Sequence, residues 1–556
     1  MLLALTLTLL SAQATHAAPA GSSLLLHGGR ILLGDDTQRS VEALLARDGR
    51  VEAVGTLVEL QSRAQALGAQ VVDLAGAVAV PGLHDAHGHV EAYGAALEQV
   101  DLTGVPSLEA LVQRVAERAK STPKGEWILG RGWDQNLWPD KSFPHHRLLS
   151  AATPDHPVYL DRVDGHAAFA NAAALQRAGL AGELPPDAAS GADGMIVLDA
   201  QGRASGVLVD NAMQRVQQHV PTPSQEVRTR RILKAQAALL AHGLVAVHDM
   251  GLEPEQIALY RKLDEQGLLL VRISGYLWGN DELGAAHEAV IPGDRVQGRF
   301  ALRGLKLMAD GALGSRGAAL LEDYSDQHGH TGLMLLADAA LAQRLEWAGQ
   351  WRLQPAIHAI GDRANRVVLD AYERALRASP QLRELRPRME HAQVVSPKDW
   401  ARFAQLGVVP SMQPVHLTSD MPWAGERLGA ERLRGAYAWK SLAPDLTQLA
   451  FGSDFPVESP DPLAGLYSAR TRAIARSPKT FEPSTALTGA QALAAFTQGA
   501  AYAVGAEAHL GRLSPGYRCD VTVLSVDPVA CEPQALQQAR VLHTIIDGRL
   551  VYTRGP

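Results

Sequence analysis

The feature that most constrains this chain is a rhythm. Apolar runs of strand length recur along its middle, separated by stretches with helical spacing. Counted with their C-terminal ends, the candidate strands are Val78–His89, Val158–Asp161, Leu244–Asp249, Leu305–Ala309, Gln354–His358, Arg388–His391, Val408–Met412 and Leu449–Asp454. Helical patterns such as Arg228–His242, Asp338–Trp351 and Ala364–Ala378 lie between many of them. Eight β-then-α units favour a parallel sheet closed into a (β/α)8 (TIM) barrel. At 556 residues the chain has room for that barrel and a second, smaller domain.

The two chain ends resemble each other and not the middle. Ser23–Ile31 reads as a strand, a tight Gly28-Gly29 turn and the start of a second strand, and Val41–Val54 reads as a hairpin turning at Asp48-Gly49. Near the other end, Asp520–Leu524 is a strand and Val541–Tyr552 a hairpin turning at Asp547-Gly548. The expectation is an α/β protein: a barrel over residues 77–507 and a small β-sandwich domain composed from residues 21–76 and 508–556. Two insertions are expected in the barrel, at about 100–150 and 165–230, the second containing a surface hairpin around Ala200-Gln201-Gly202.

Residues 1–20 stand apart. Met1–Leu10 is almost wholly aliphatic and a small-residue stretch follows, with Ala12-Gln13-Ala14 and Ala18-Pro19-Ala20 as cleavage options. That reads as a secretory signal, although no Lys or Arg precedes the apolar run; the alternative is an apolar tail. Export implies a periplasmic or secreted protein with no membrane attachment after signal removal. Cys519 and Cys531, the two cysteines, could pair in that setting or remain buried thiols. A formal charge of −7, no long basic run and 5% aromatic residues give no sign of nucleic-acid binding.

Functional residues of a barrel gather at the C-terminal ends of its strands, and here those ends are chemically loaded. The first ends in His87-Gly88-His89, and in an extended segment residues i and i+2 point the same way. Lys306, His358, His391 and Asp454 follow on later strands. Each alone has a plain structural reading: a surface or core His pair, a solvated lysine, a capping aspartate. Together, at equivalent ends of successive strands, they point to a metal centre.

The stretches that carry these residues are Pro81–His89 (PGLHDAHGH), Lys306–Leu320, His358–Asn365 (HAIGDRAN), Glu390–Gln393 (EHAQ) and Phe451–Val457 (FGSDFPV). As a set they resemble the amidohydrolase superfamily, most closely its family 3 branch, with N-substituted formamide deformylase-like and D-aminoacylase-like members. The resemblance runs over essentially the whole chain after the leader. It implies a (β/α)8 hydrolase with one or two divalent metals, usually zinc. It assigns His87, His89 and Asp454 to the more buried metal, and His358 and His391 to the more exposed one. Lys306 would bridge both as a carbamate formed with CO2. The field of two dications favours that step, since it drives the amine neutral, far below its free pKa of about 10.4. A mononuclear site in which Lys306 only hydrogen-bonds is the alternative. The implied reaction is hydrolysis of a small-molecule amide. Zinc would acidify water toward a pKa of ~7, and Asp454 would take the proton and pass it to the leaving nitrogen. Expected substrates are N-acyl or N-formyl amines or N-acyl amino acids. A metal esterase, lactonase or cyclic amidase on the same site, or a catalytically silent metal-stabilised binding protein, are the alternatives. The sequence leaves a homo-oligomer open.

Three further residues are candidate substrate contacts, each with a structural counter-reading. Trp133 could wall a pocket or anchor the packing of its glycine-rich loop. His166 could bind substrate or pack in its own loop. Arg316 could grip a carboxylate or carbonyl, or form a structural salt bridge. Asp85, two residues before His87, could orient an imidazole or cap backbone, and His416 could line the pocket.

Overall fold

The computed structural model describes residues 22–35, 39–162, 167–185, 190–191, 194–280, 298–474 and 477–555. The apolar leader and His166 lie outside these residues. The chain forms two compact units, Gly94–Arg231 and the remainder.

In the larger unit eight parallel strands form the barrel: β1 (Leu83–Gly88), β2 (Leu244–Leu252), β3 (Arg272–Trp278), β4 (Phe300–Met308), β5 (Gln354–Ala359), β6 (Arg388–His391), β7 (Val409–Met412) and β8 (Ala450–Phe451). Each pairs with the next in chain order. The ring closes just past β8, where Asp454 N–H donates to His87 O at 2.7 Å and His89 N–H to Phe455 O at 2.9 Å. Strands covered on both faces read as near-continuous apolar runs. β2 and β5 fit that rule, and their side chains are buried almost throughout. The helix after β5, Asp362–Ala378, turns Val368, Leu369, Tyr372 and Leu376 inward. Pro254 and Pro414 sit at the first turns of the helices after β2 and β7, where a missing N–H costs nothing.

The barrel strands differ from the sequence expectation in three places. Val158–Asp161 is not a barrel strand; it lies inside the inserted unit. The third barrel strand is Arg272–Trp278, a segment broken by Arg272, Ser274 and Gly275 and so poor in apolar signal. The expected first strand, Val78–His89, is two strands. Val78–Pro81 belongs to a six-stranded sheet, and the chain enters the barrel at Gly82. A Cβ at Gly82 would stand 2.5 Å from the Val245 side chain, so the crossing from sheet to barrel needs glycine.

That six-stranded sheet takes strands from both chain ends, in the order Arg549–Thr553, Val541–Ile546, Val521–Leu524, Val78–Pro81, Arg30–Leu32, Ser40–Val41. A four-stranded sheet is built from Arg50–Gly55, Ala43–Arg47, Ser23–His27 and Gln70–Asp73. Leu26, Ile31 and Leu44 share one core with Val521, Val523 and Ile545. Both Asp-Gly hairpin turns have positive φ at the two central residues (51° and 79° at Asp48-Gly49, 49° and 66° at Asp547-Gly548), the backbone such tight turns require. Arg272, at the start of β3, fastens this domain to the barrel: it donates to Asp520 at 2.7 Å and to Asp547 at 2.6 Å.

The inserted unit is a seven-stranded sheet: Ser190–Gly191, Gly194–Leu198, Ala204–Asp210, Ala167–Ala170, Val158–Arg162, Ile128–Trp133, Val100–Asp101. The Gly194–Leu198 and Ala204–Asp210 strands form the hairpin read from the sequence. The unit has its own core, around Leu111, Trp133, Leu160 and Phe169.

Candidate metal centre and its pocket

His87 lies at the end of β1 and His89 directly follows the strand. Gly88 between them is pressed by the closing segment; a Cβ there would meet the Phe455 ring at 2.3 Å. Three imidazoles are held in the same way. His87 Nδ1 lies 2.7 Å from Glu390 Oε2, His89 Nδ1 2.9 Å from Met250 O, and His391 Nδ1 2.8 Å from Gln413 Oε1. Each of these partners is an acceptor, so each ring holds its proton on Nδ1 and presents the Nε2 lone pair. His87 and His89 Nε2 lie 3.5 and 3.1 Å from Asp454 Oδ1. The His358 and His391 ring centroids are 4.5 Å apart, and those of His87 and His391 4.7 Å. His358 Nε2 has no hydrogen-bond partner among the described residues and lies 3.5 Å from the buried Asp310 carboxylate.

Two of these residues are held in backbone conformations unusual for a side-chain-bearing residue, φ 70° at His391 and 62° at Asp454. Such strain collects at functional sites, where the surrounding structure enforces it. Asp85 helps at Asp454: it accepts from the His87 N–H at 3.0 Å, the Ser453 N–H at 3.1 Å and the Ser453 hydroxyl at 2.6 Å. Of the two roles open to Asp85, the structure shows the backbone one.

The electrostatics favour neutral nitrogen donors around one anion. Burial, with the Lys306 charge adding to it, lowers His87 to about 4 and His358 to about 3. Burial and the neighbouring imidazoles hold His391 well below its ordinary value. Burial would raise Asp454, but the surrounding histidines outweigh it and hold the carboxyl well below the usual range. Burial lowers Lys306 to about 8 against the pull of Glu390 and Asp454. Its Nζ has no ion-pair partner among the described residues and stands 3.5 Å from His87 Nε2. The donor atoms form two groups, His87–His89–Asp454 and His391–His416–Asp454, each within 4.8 Å, with Asp454 common to both.

These side chains line a cavity of about 470 Å3 at the C-terminal rim of the barrel. The family model described as Amidohydrolase family matches residues 70–552. The chain belongs to the amidohydrolase family. This amidohydrolase is 32% identical to the amidohydrolase-named protein YtcJ of Bacillus subtilis (strain 168), over 95% of its own length and 99% of that protein. It is 27% identical to the N-substituted formamide deformylase of Arthrobacter pascens, over 96% and 98%. Its fold matches the crystal structure of an uncharacterized metal-dependent hydrolase from Pyrococcus furiosus with a TM-score of 0.76 and 29% identity, covering 91% of this chain and all of that one. Membership of that family makes it a hydrolase acting on carbon–nitrogen bonds.

The residues of this amidohydrolase suit a divalent cation. Inward lone pairs on anchored neutral imidazoles and one ionised carboxylate make an N/O donor set of the kind zinc-class ions take. The orphaned His358 Nε2 also fits a centre whose remaining partner is a cation. The structure therefore brings His87, His89, Lys306, His358, His391 and Asp454 to one rim. It adds His416, in the first turn of the helix Pro414–Leu433, whose Nε2 is buried with no hydrogen-bond partner among the described residues and lies 3.9 Å from Asp454 Oδ2. It also adds the acceptors Glu390 and Gln413. Glu390 was legible only as the neighbour of His391 in EHAQ, and Gln413 as the residue after β7.

Two of the candidate substrate contacts, Trp133 and Arg316, are not part of the cavity lining. Trp133 is fully buried in the core of the inserted unit: its Nε1–H donates to Leu160 O at 2.8 Å and its ring packs on Trp138 and Phe169. It takes the packing-anchor role. Arg316 lies on the loop after β4, but its guanidinium pairs with Asp326 at 2.9 Å, the structural salt bridge.

Proposed function

We propose that this amidohydrolase hydrolyses the C–N bond of a small-molecule amide, an N-acyl or N-formyl amine, with two divalent metals, zinc the best match, and Asp454 as proton shuttle. The observation that supports this most is the position of Asp454, shared by both groups of donor atoms. His87, His89 and Asp454 would hold one ion and His358 and His391 the other, with His416 within reach of the second. Lys306, buried and without an ion pair among the described residues, is the residue that would carry a bridging carbamate. When bound, the metals supply Lewis-acid polarisation of the carbonyl and acidify water.

The chain's own residues do the rest. Asp454 is ionised at neutral pH and can accept a proton from water on the side facing the carbonyl carbon. It returns that proton to the amide nitrogen, which leaves as an amine; an unprotonated amine is a poor leaving group. The Nδ1 anchors of His87, His89 and His391 keep these rings from turning as charge develops. The relative named for N-substituted formamide deformylation supports an amide over an ester.

The test is amine release by zinc-reconstituted protein across N-formyl, N-acetyl and N-acyl amino-acid substrates, with matched esters. Chelation should bring turnover to the uncatalysed level and added zinc should restore it, with metal content read by atomic emission on the same samples. Turnover that survives complete metal removal would defeat the assignment. Hydrolysis of esters alone would retain the site and reject the leaving-group argument.

A further inference from the structure

The wall of the pocket next to His416 has an unusual charge. It carries two carboxylates beyond Asp454, Asp420 on the helix after β7 and Glu458 on the loop after β8. Trp278, Trp423, Met308 and Leu313 make much of the remaining lining, which among the described residues includes no arginine and, apart from Lys306, no lysine.

Among the described residues neither acid is paired with a lysine or arginine, and His416 is the titratable base that acts on Asp420. Asp420 Oδ2 accepts from Gln393 Nε2 at 2.7 Å and from the Tyr437 hydroxyl, both uncharged. Glu458 accepts from the hydroxyl of Ser419, the residue next to Asp420, which puts both carboxylates on one wall. Arg427, whose guanidinium lies 5.8 Å from the Trp423 ring, is engaged by Asp326. Burial and the Glu458 charge both push Asp420 above its ordinary value, although His416 and its hydrogen bonds oppose them.

Placing two carboxylates in a partly desolvated apolar pocket is unfavourable unless something positive joins them. Indole faces attract the same kind of charge. We propose that the substrate amide carries a positively charged group, an ammonium or guanidinium, remote from the scissile bond, held by Asp420 and Glu458 beside the indole of Trp423. This rests on the hydrolase reading above and narrows it. It sets N-acyl amino acids aside, because a carboxylate-bearing substrate would find repulsion where it needs a cation.

Three N-formyl benzylamines that differ only in the para group test it: aminomethyl, methyl and carboxylate. The kcat/KM order should be aminomethyl, methyl, carboxylate, with aminomethyl over methyl by about tenfold, the sum of a partly screened ion pair and a cation–π contact. Glu458→Gln, on a loop, should lower the aminomethyl-to-methyl ratio by about threefold or more, mainly through KM, and Asp420→Asn with Glu458→Gln should bring it to about one. Calorimetric binding of the product amines, p-xylylenediamine against 4-methylbenzylamine, to zinc-loaded protein gives a second reading that needs no turnover. Hydrolysis that prefers the methyl or carboxylate substrate would overturn the proposal and leave the hydrolase intact. No hydrolysis, with tighter diamine binding that Glu458→Gln removes, would uphold the cation site and defeat the hydrolase reading. No hydrolysis and no difference between the amines would overturn both.

Discussion

Replacing Asp454 with asparagine is expected to lower kcat by ~10²–10⁴-fold, the usual contribution of a positioned acid–base group. The amide side chain would keep an oxygen where Asp454 Oδ1 now meets His89 Nε2 at 3.1 Å, but it could not take up a proton. The same residue is also a metal ligand in this reading, so its two roles must be separated. A ligand defect is restored by excess metal; a missing proton acceptor is not. The substitution should therefore leave turnover low at every zinc concentration, with zinc content measured in parallel, and should flatten the acid limb of the pH profile. Recovery of wild-type kcat at saturating zinc would remove Asp454 from the proton path and leave it a ligand.

Asp454 was legible in the sequence for the same reason as the other ligands. A polar metal-binding residue at the C-terminal end of an apolar strand is out of place unless the rim uses it, and His87 and His89 share a face because strand side chains alternate. The two Asp-Gly turns were equally legible, since only a few residues accept their backbone. Other features depended on partners distant in the chain. Val158–Arg162 looks like a barrel strand locally, yet it pairs antiparallel with Ala167–Ala170, and nothing within the segment announces that neighbour. Arg272–Trp278 looks unlike one because Arg272 is matched by Asp520 and Asp547, some 250 residues later. Trp133 and Arg316 had even readings in the sequence, and what decided them was Phe169 and Trp138 in one case and Asp326 in the other. His416 carried a weak signal because it sits on a helix, outside the strand-end pattern.

The largest stability effect is expected at Arg388, which no strand-end argument singles out. Its guanidinium is fully buried at the base of the site. It donates to Glu390 at 2.8 and 3.1 Å, His248 Nδ1 at 2.9 Å, the Tyr276 hydroxyl at 2.8 Å, Ala86 O at 2.8 Å and Ser411 Oγ at 2.9 Å. One side chain thus ties β6 to itself and to β1, β2, β3 and β7. Arg388→Met would strand Glu390 as a buried anion, and breaking a buried pair from one side costs about 3–5 kcal/mol. The loss should appear as a lower urea midpoint at unchanged slope. Arg388→Met combined with Glu390→Leu removes both charges and should recover most of that stability, because an apolar replacement of a whole buried pair is close to neutral. It should not recover the metal site. His87 Nδ1 would have lost the carboxylate that fixes its tautomer, a kind of loss that lowers metal affinity by about 10–100-fold. If the double variant is stable and binds zinc as the wild type does, Glu390 serves the fold alone. If it is stable with weakened zinc, the Arg388–Glu390 pair is retained to aim His87, and its burial is the energetic consequence of that task.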